Sequence, residues 1–289
     1  MTDKIWTIRE ILNWSIQYLK KVGSDTPRLD AELLLCRALK CRRLDLYLEH
    51  DKPLENSEKN QYREFIKRRS LMEPVAYILG ERDFYSLTFE VNPHVLIPRP
   101  ETELLIELIL KSFNSDQEFF GLDVGTGSGC LAITIQKNRP MSIIEAWDKS
   151  ELALEVAKKN ASKHGVNIQW GNKDVFASEA WDGLRSKLDF IVSNPPYIAP
   201  EEKNELQLSV RNYEPELALF AEENGLRFYK YYALHAQKFL KVGGKIFLEI
   251  GHTQGSAIID LMKASGWVGI ELHKDLNGHD RVVSAIYGG

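Results

Sequence analysis

Three short groups of residues in this 289-residue chain have the types and spacing that chemistry uses. The first is Asn194-Pro195-Pro196-Tyr197, directly behind the apolar run Phe190-Ile191-Val192. That run reads as a buried parallel strand, and the two prolines end it because they fix their own φ and have no N–H to donate. The tetrapeptide therefore forms a rigid lip at a strand's carboxyl end, offering an amide, two carbonyls and an aromatic ring. Open α/β sheets bind their ligands along that edge. The second group is Asp123-Val124-Gly125-Thr126-Gly127-Ser128-Gly129, where a strand meets a helix. Its glycines let the backbone turn tightly and let a ligand lie against it without β-carbons intervening. The third is Asp148, at the end of the next strand, where a carboxylate would accept hydrogen bonds from ribose hydroxyls. The competing reading of Asp148 is a cap on the helix that opens at Ser150-Glu151.

A glycine-rich turn with an acidic residue about twenty positions on suits either a nicotinamide dinucleotide or S-adenosylmethionine, and spacing alone does not decide between them. The glycine run is G-x-G-x-G, whereas a dinucleotide fingerprint places its third glycine one residue further on. No P-loop lysine comes after it, which weighs against a nucleoside triphosphatase, and no histidine pairing suited to hydride transfer is evident downstream.

The elements that must position these groups are read from hydrophobic periodicity. Strands are expected at Phe119–Val124, Ile143–Trp147, Ile168–Trp170, Phe190–Ser193, Lys245–Ile250, Trp267–Leu272 and Arg281–Tyr287. Amphipathic helices such as Glu151–His164 and Leu226–Leu240 come between them. Regular βα alternation implies an α/β fold, a parallel sheet covered on both faces. Before it, the first seventy-odd residues read as helices. Thr7 with Glu10 forms a capping-box pattern ahead of Ile8, Ile11, Leu12, Ile16 and Leu19. Gly23 closes that helix, and Thr26-Pro27 opens a second bearing an apolar stripe of Leu29, Leu33 and Cys36. Ser57 is placed to cap a third carrying Tyr62, Phe65 and Ile66. Pro74 and Gly80 mark a change of character, and Glu81 to Val95 reads as a hairpin linker. The expected organisation is a helical domain over 1–75, a linker with a β-hairpin over 76–98 and the α/β domain over 99–289.

Composition excludes several classes. A net charge of -4 argues against a protein that grips long nucleic acid through basicity. Residues 1–80 nevertheless hold 15 Lys and Arg against 12 Asp and Glu, and the remainder 22 against 29, an asymmetry that can mark a partner-facing module. Arg37, Lys40, Arg42, Arg43 and Lys67, Arg68, Arg69 are either a solvated face or a docking patch. The three cysteines form no ligand-type spacing, so no metal site is expected. No h-region and no apolar run approaching a membrane span are present, and a cytoplasmic location is the default.

Taken together, the glycine turn, the acidic end of the second strand and Asn194-Pro195-Pro196-Tyr197 resemble S-adenosylmethionine-dependent methyltransferases that modify planar nitrogens. More narrowly, the chain resembles the HemK/PrmC family of peptide chain release factor N(5)-glutamine methyltransferases. The likeness covers nearly the whole chain. It includes Glu73 to Ile78 with Gly80, Val95 to Glu103, Asp123 to Gly129, Ser193 to Tyr197, Glu214-Pro215, Glu249 with Gly251, and Asp280-Arg281-Val282. The tetrapeptide is shared with DNA adenine and RNA guanine methyltransferases; the stretch Leu96 to Glu103 behind a helical domain is more specific.

This resemblance implies a Rossmann-like methyltransferase domain with a mostly parallel seven-stranded sheet. It implies S-adenosylmethionine as cofactor, with Gly125, Thr126, Gly127, Ser128 and Gly129 around its methionine part and Asp148 on its ribose. Val175 or Phe176 would flank its adenine, with Trp147 left to packing. The implied substrate is the glutamine of a Gly-Gly-Gln loop in class 1 release factors, with the helical domain docking the partner, and with no stable nucleic-acid or membrane partner. A carboxamide nitrogen is a weak nucleophile, so placement matters more than acid–base power. Asn194, the implied catalytic residue and also part of the cofactor wall, and the Pro195 carbonyl would each accept one N–H of the substrate amide. Pro196 would complete the rigid wall of that substrate site, and Tyr197 would pack on the substrate's planar group.

Overall fold

The computed structural model describes residues 5–289 of the chain. They divide into two compact units, residues 5–80 with 207–213, and residues 81–206 with 214–289.

The helical unit begins with α1 (Ile8–Lys21), whose N-cap Thr7 accepts from the Glu10 N–H while Glu10 reaches back to Thr7, the expected capping box. α2 (Pro27–Leu39), α3 (Asp45–Leu48), α4 (Asn56–Ser70) and α5 (Val75–Leu79) come next. Two local expectations are corrected. The buried stripe of α2 is Ala31, Leu34, Leu35 and Ala38, and Leu29 is exposed. Its axial rotation is set by charge as well as by apolarity. Asp30 is buried in an ion pair with Arg69 at 2.7 Å, and Glu32 in one with Arg43 at 2.5 Å, so their side of the helix also faces inward. The N-cap of α4 is Glu55, whose N–H donates to Glu58 Oε2 at 2.8 Å, and Ser57 lies inside the helix. Much of the anticipated basic face is internally paired, since Arg42 bonds Asp45 and Arg68 bonds Glu73.

The second unit opens with the antiparallel hairpin of β1 (Glu81–Phe84) and β2 (Leu87–Glu90), then α6 (Glu103–Ser112). β3 (Phe120–Val124), α7 (Cys130–Asn138), β4 (Ile143–Asp148), α8 (Glu151–His164), β5 (Gln169–Asn172) and β6 (Leu188–Ser193) continue the βα alternation. The short α9 (Leu208–Tyr213) belongs to the helical unit, where the Tyr213 hydroxyl donates to the Leu71 carbonyl at 2.8 Å. α10 (Arg227–His235), β7 (Leu240–Glu249), α11 (Gly255–Ala264), β8 (Val268–Lys274) and β9 (Asp280–Ile286) complete the chain.

The sheet is seven-stranded, in the order β5-β4-β3-β6-β7-β9-β8, parallel except where β9 pairs antiparallel with β7 and β8. Its central strands are apolar at consecutive positions because both faces are covered. Ile191 of β6 joins one cluster with Leu122, Trp147 and Leu248, while Phe190 and Val192 join the other with Ala146 and Phe247. Strand order reverses between β3 and β6, so their carboxyl ends open a crevice where an α/β sheet binds its ligand.

Candidate active site

All three chemical groups lie on that carboxyl edge, around a cavity of about 450 Å³. Gly125, Thr126, Gly127, Ser128, Asp148, Val175, Phe176, Asn194 and Pro196 are on its wall.

The turn after β3 is tied down by its own backbone. Gly125 and Thr126 donate to the Trp147 carbonyl, each at 2.9 Å, and Gly129 donates to Thr126 at 2.8 Å. Gly127 has φ +55° with open space where a β-carbon would stand, so its requirement is conformational. Gly129 is constrained by packing as well, because a β-carbon there would lie 2.9 Å from Ile133 Cδ1 and 3.2 Å from Ala157 Cβ. Asn160 of α8 is fully buried and bridges the turn to the hairpin, donating to Ser128 O at 2.9 Å while accepting from the Glu90 N–H at 2.7 Å. Nothing in its sequence neighbourhood announces that role.

Asp148 accepts from Gly127 N at 2.9 Å and from Ser150 N at 2.8 Å, and burial raises its pKa. The cap of α8 is Ser150, whose Oγ accepts from Ala153 N at 3.2 Å. Asp123 sits behind the turn, fully buried, with Oδ2 accepting from Thr126 Oγ1 at 2.6 Å and Ala132 N at 3.3 Å. Its Oδ1 has no hydrogen-bond partner among the described residues, and burial pushes its pKa up to about 7. A glycine turn with open space above it and a carboxylate at the end of β4, both on the cavity wall, fit a ligand carrying ribose hydroxyls.

Val175 is buried, and its carbonyl accepts from Trp181 Nε1 at 2.8 Å. Phe176 is half-buried, with the Arg227 guanidinium 4.4 Å over its ring and Phe228 against it. Trp147 is packing: fully buried, edge-on to Trp181, with Nε1 donating to Glu145 at 2.6 Å.

The lip is held from behind. Ser193 Oγ donates to the Val124 carbonyl at 2.7 Å, and Tyr232 from α10 donates to Ser193 at 3.1 Å. Asn194 Nδ2 donates to Thr102 Oγ1 at 3.2 Å, which leaves Asn194 Oδ1 without a partner among the described residues. Pro195 is buried. Tyr197 packs on the hydrophobic cluster of the sheet rather than on the cavity, its carbonyl accepts from Gln254 Nε2 at 3.0 Å, and burial pushes its hydroxyl up to about 12. Arg99, stiffened by its flanking prolines, meets Glu214 at 2.6 Å, and Glu214 also accepts from Ile97 N at 3.1 Å. Pro98, Arg99 and Thr102 thereby become part of the cavity wall. The proline spacing signals a stiff Arg99, but its partner lies too far along the chain to be inferred.

Residues 101–210 match the methyltransferase small domain family, and residues 10–80 match the PrmC N-terminal domain family. At the level of fold, the chain resembles the hMettl16 catalytic domain (TM-score 0.58, 16% identity, 74% of this chain and 82% of that one). It also resembles a methyltransferase from Pyrococcus furiosus (TM-score 0.52, 18% identity, 71% and 91%). The second unit is a methyltransferase domain, and its methyl donor is S-adenosylmethionine.

Relatives similar over the whole length narrow the class. The release factor glutamine methyltransferase of Chlorobaculum tepidum is 39% identical over 98% of both chains, and that of Geobacter sulfurreducens 37% identical over 100% of both. The chain belongs to the release factor glutamine methyltransferase family. It is also 38% identical to the bifunctional methyltransferase of Rickettsia bellii, of which it spans 54%.

Proposed function

We propose that this methyltransferase transfers a methyl group to the side-chain amide nitrogen of the glutamine in the Gly-Gly-Gln motif of class 1 peptide chain release factors, in the cytoplasm, and so modulates translation termination. The names of the full-length relatives support the substrate. Among the described residues, no helix is long and apolar enough to cross a membrane. The observation that carries the chemistry is Asn194, whose Nδ2 is committed to Thr102 while Oδ1 is left to accept at the cavity wall.

When bound, S-adenosylmethionine supplies a methyl group on a cationic sulfur. Gly125, Thr126, Gly127 and Ser128, on the cavity wall, would hold its methionine part, with Gly129 closing the turn against Ile133 and Ala157; Asp148 would accept from its ribose, and Val175 or Phe176 would flank its adenine. Asn194 Oδ1 and the Pro195 carbonyl each accept one N–H of the substrate amide. Two acceptors fix the plane of a primary amide, so its nitrogen is held at one place and angle. The same two oxygens offset positive charge that grows on the nitrogen as the N–CH3 bond forms and the S–CH3 bond breaks to leave a neutral thioether; the nitrogen then releases a proton to solvent and becomes a secondary amide. Pro196 keeps the wall rigid, and Tyr197 supports the lip from the hydrophobic cluster of the sheet. The helical unit, with the change of character beyond residue 75, docks the release factor.

The test is incubation of the enzyme with a class 1 release factor and methyl-labelled S-adenosylmethionine, followed by peptide mapping. Label on the glutamine of Gly-Gly-Gln, lost when that glutamine is replaced by alanine, is the expected result. Label on DNA or RNA with none on the glutamine overturns the proposal.

A further inference from the structure

The oxygen of Asn194 serves an amide substrate only if the side chain keeps one of its two near-isosteric orientations. Two residues outside the glycine turn, Asp148 and the lip decide which. Thr102 closes the short 3-10 turn Pro100–Thr102 and is buried. Its hydroxyl donates to Glu249 Oε2 at 2.6 Å. Glu249 ends β7, is 1% exposed, and has its own carbonyl held by the Tyr229 hydroxyl at 2.8 Å. The chain of hydrogen bonds therefore runs Asn194 Nδ2 to Thr102 Oγ1 to Glu249 Oε2.

A hydroxyl has one proton to give. While an ionised Glu249 takes it, Thr102 faces Asn194 with lone pairs only, and Asn194 must answer with its NH2 group. We infer that Thr102 and Glu249 are positioning residues that lock the Asn194 amide with its oxygen toward the substrate, committing the site to acceptors that bring N–H donors, as a primary carboxamide does. This inference rests on the proposed amide methylation.

The direction of the chain is reversible. A protonated Glu249 donates to Thr102 Oγ1, whose hydroxyl then turns to donate to Asn194. The amide flips, and its NH2 meets the N–H groups of the substrate. Burial pushes Glu249 up to about 7, against the Thr102 bond that lowers it. Arg281 and Arg99 face it and favour the charged form, though each is paired elsewhere, with Asp275 and Glu214. Glu101, Cys130, Tyr197 and Tyr229 also face it. Protonation of Glu249 thus falls near neutral pH, and turnover is lost as pH falls through about 7.

The test has one arm without an acceptor and one with it. In the 15N spectrum of the cofactor-bound full chain, the Asn194 side-chain NH2 pair, assigned by its loss in Asn194→Ala, is expected to be shifted and exchange-protected at pH 8. It should lose protection below about pH 7 in the wild type, show no pH dependence in Glu249→Gln, and be unprotected in Thr102→Val. With acceptor, Thr102→Val should lower kcat by about 10- to 100-fold, the scale of losing a positioning group. Thr102→Ser should restore it, and Glu249→Gln should flatten the acid limb of the kcat profile. Melting curves identify any variant that fails to fold, and Thr102→Ser keeps the comparison valid if Thr102→Val does. An Asn194 signal unchanged in Thr102→Val, or an acid limb unchanged in Glu249→Gln, overturns the inference. Wild-type enzyme that leaves release-factor glutamine unmethylated overturns the substrate instead, and the spectral arm still decides the orientation.

Discussion

Glu214 is the group whose removal tests how the cavity wall is built. It is buried and accepts two bonds, from Ile97 N at 3.1 Å and from Arg99 Nη2 at 2.6 Å. In Glu214→Ala the Ile97 N–H loses its acceptor in a buried setting, which costs about 1–3 kcal/mol. Arg99 loses a charge-assisted bond, but its side chain is 31% exposed and water replaces part of it, so about 1 kcal/mol is appropriate. The sum is about 3 kcal/mol. At roughly 2–4 °C per kcal/mol for a domain of this size, the melting temperature should fall by about 6–12 °C. Glu214→Gln keeps an oxygen for Ile97 and should fall by only about 2–4 °C. Pro98 and Arg99 line the cavity, so Glu214→Ala should also raise KM for the release factor more than it weakens S-adenosylmethionine binding. Thermal unfolding of the two variants with steady-state kinetics decides the matter. A melting temperature for Glu214→Ala within about 2 °C of wild type would refute the clamp. An equal loss in Glu214→Gln would show that charge, not the buried N–H, governs the segment.

Three further outcomes are expected. Asn194→Ala should bind S-adenosylmethionine with an affinity near that of wild type in calorimetric titration, yet lose on the order of 100-fold or more in kcat, because an acceptor that orients the nitrogen is removed; unchanged turnover would rule that role out. Gly129→Ala places a side chain at φ +81° and 2.9 Å from Ile133 Cδ1, so it should destabilise the protein by about 1–3 kcal/mol in denaturant titration. For Asp123, burial raises the folded pKa to about 7, well above the usual carboxylate value. Stability from the protonated form is therefore complete below the unfolded pKa near 4 and lost as pH rises through about 7. Asp123→Asn should flatten the decline in melting temperature of the cofactor-free protein between about pH 4 and 7, and an unchanged decline would place the titration elsewhere.

What was legible in the sequence was local. Parallel strands buried on both faces are apolar runs, so β3, β4 and β6 fall within two residues of the expected spans. The Thr7–Glu10 cap joins residues three apart, and its reciprocal bonds form within one turn. Where the periodic signal met tertiary charge, it failed. The α2 stripe rotates because Arg69 and Arg43, 39 and 11 residues away, draw Asp30 and Glu32 inward.

The same division runs through the site. The glycine turn, Asp148 and the lip stand at strand ends, where βα order alone brings them to one edge. The residues that orient them come from far along the chain: Thr102 lies 92 residues from Asn194 and 147 from Glu249, and Glu214 lies 115 from Arg99. Thr102 and Glu249 both fall in stretches that carry the family resemblance, but a threonine at a helix entry and a glutamate at a strand end give no sign of a bond between them until the fold brings them together. A motif therefore identifies the atoms that touch a substrate, while the direction in which those atoms point is a property of the long-range hydrogen-bond chain. The amide of Asn194 makes the case, since its letter in the sequence is the same whether oxygen or nitrogen faces the cavity.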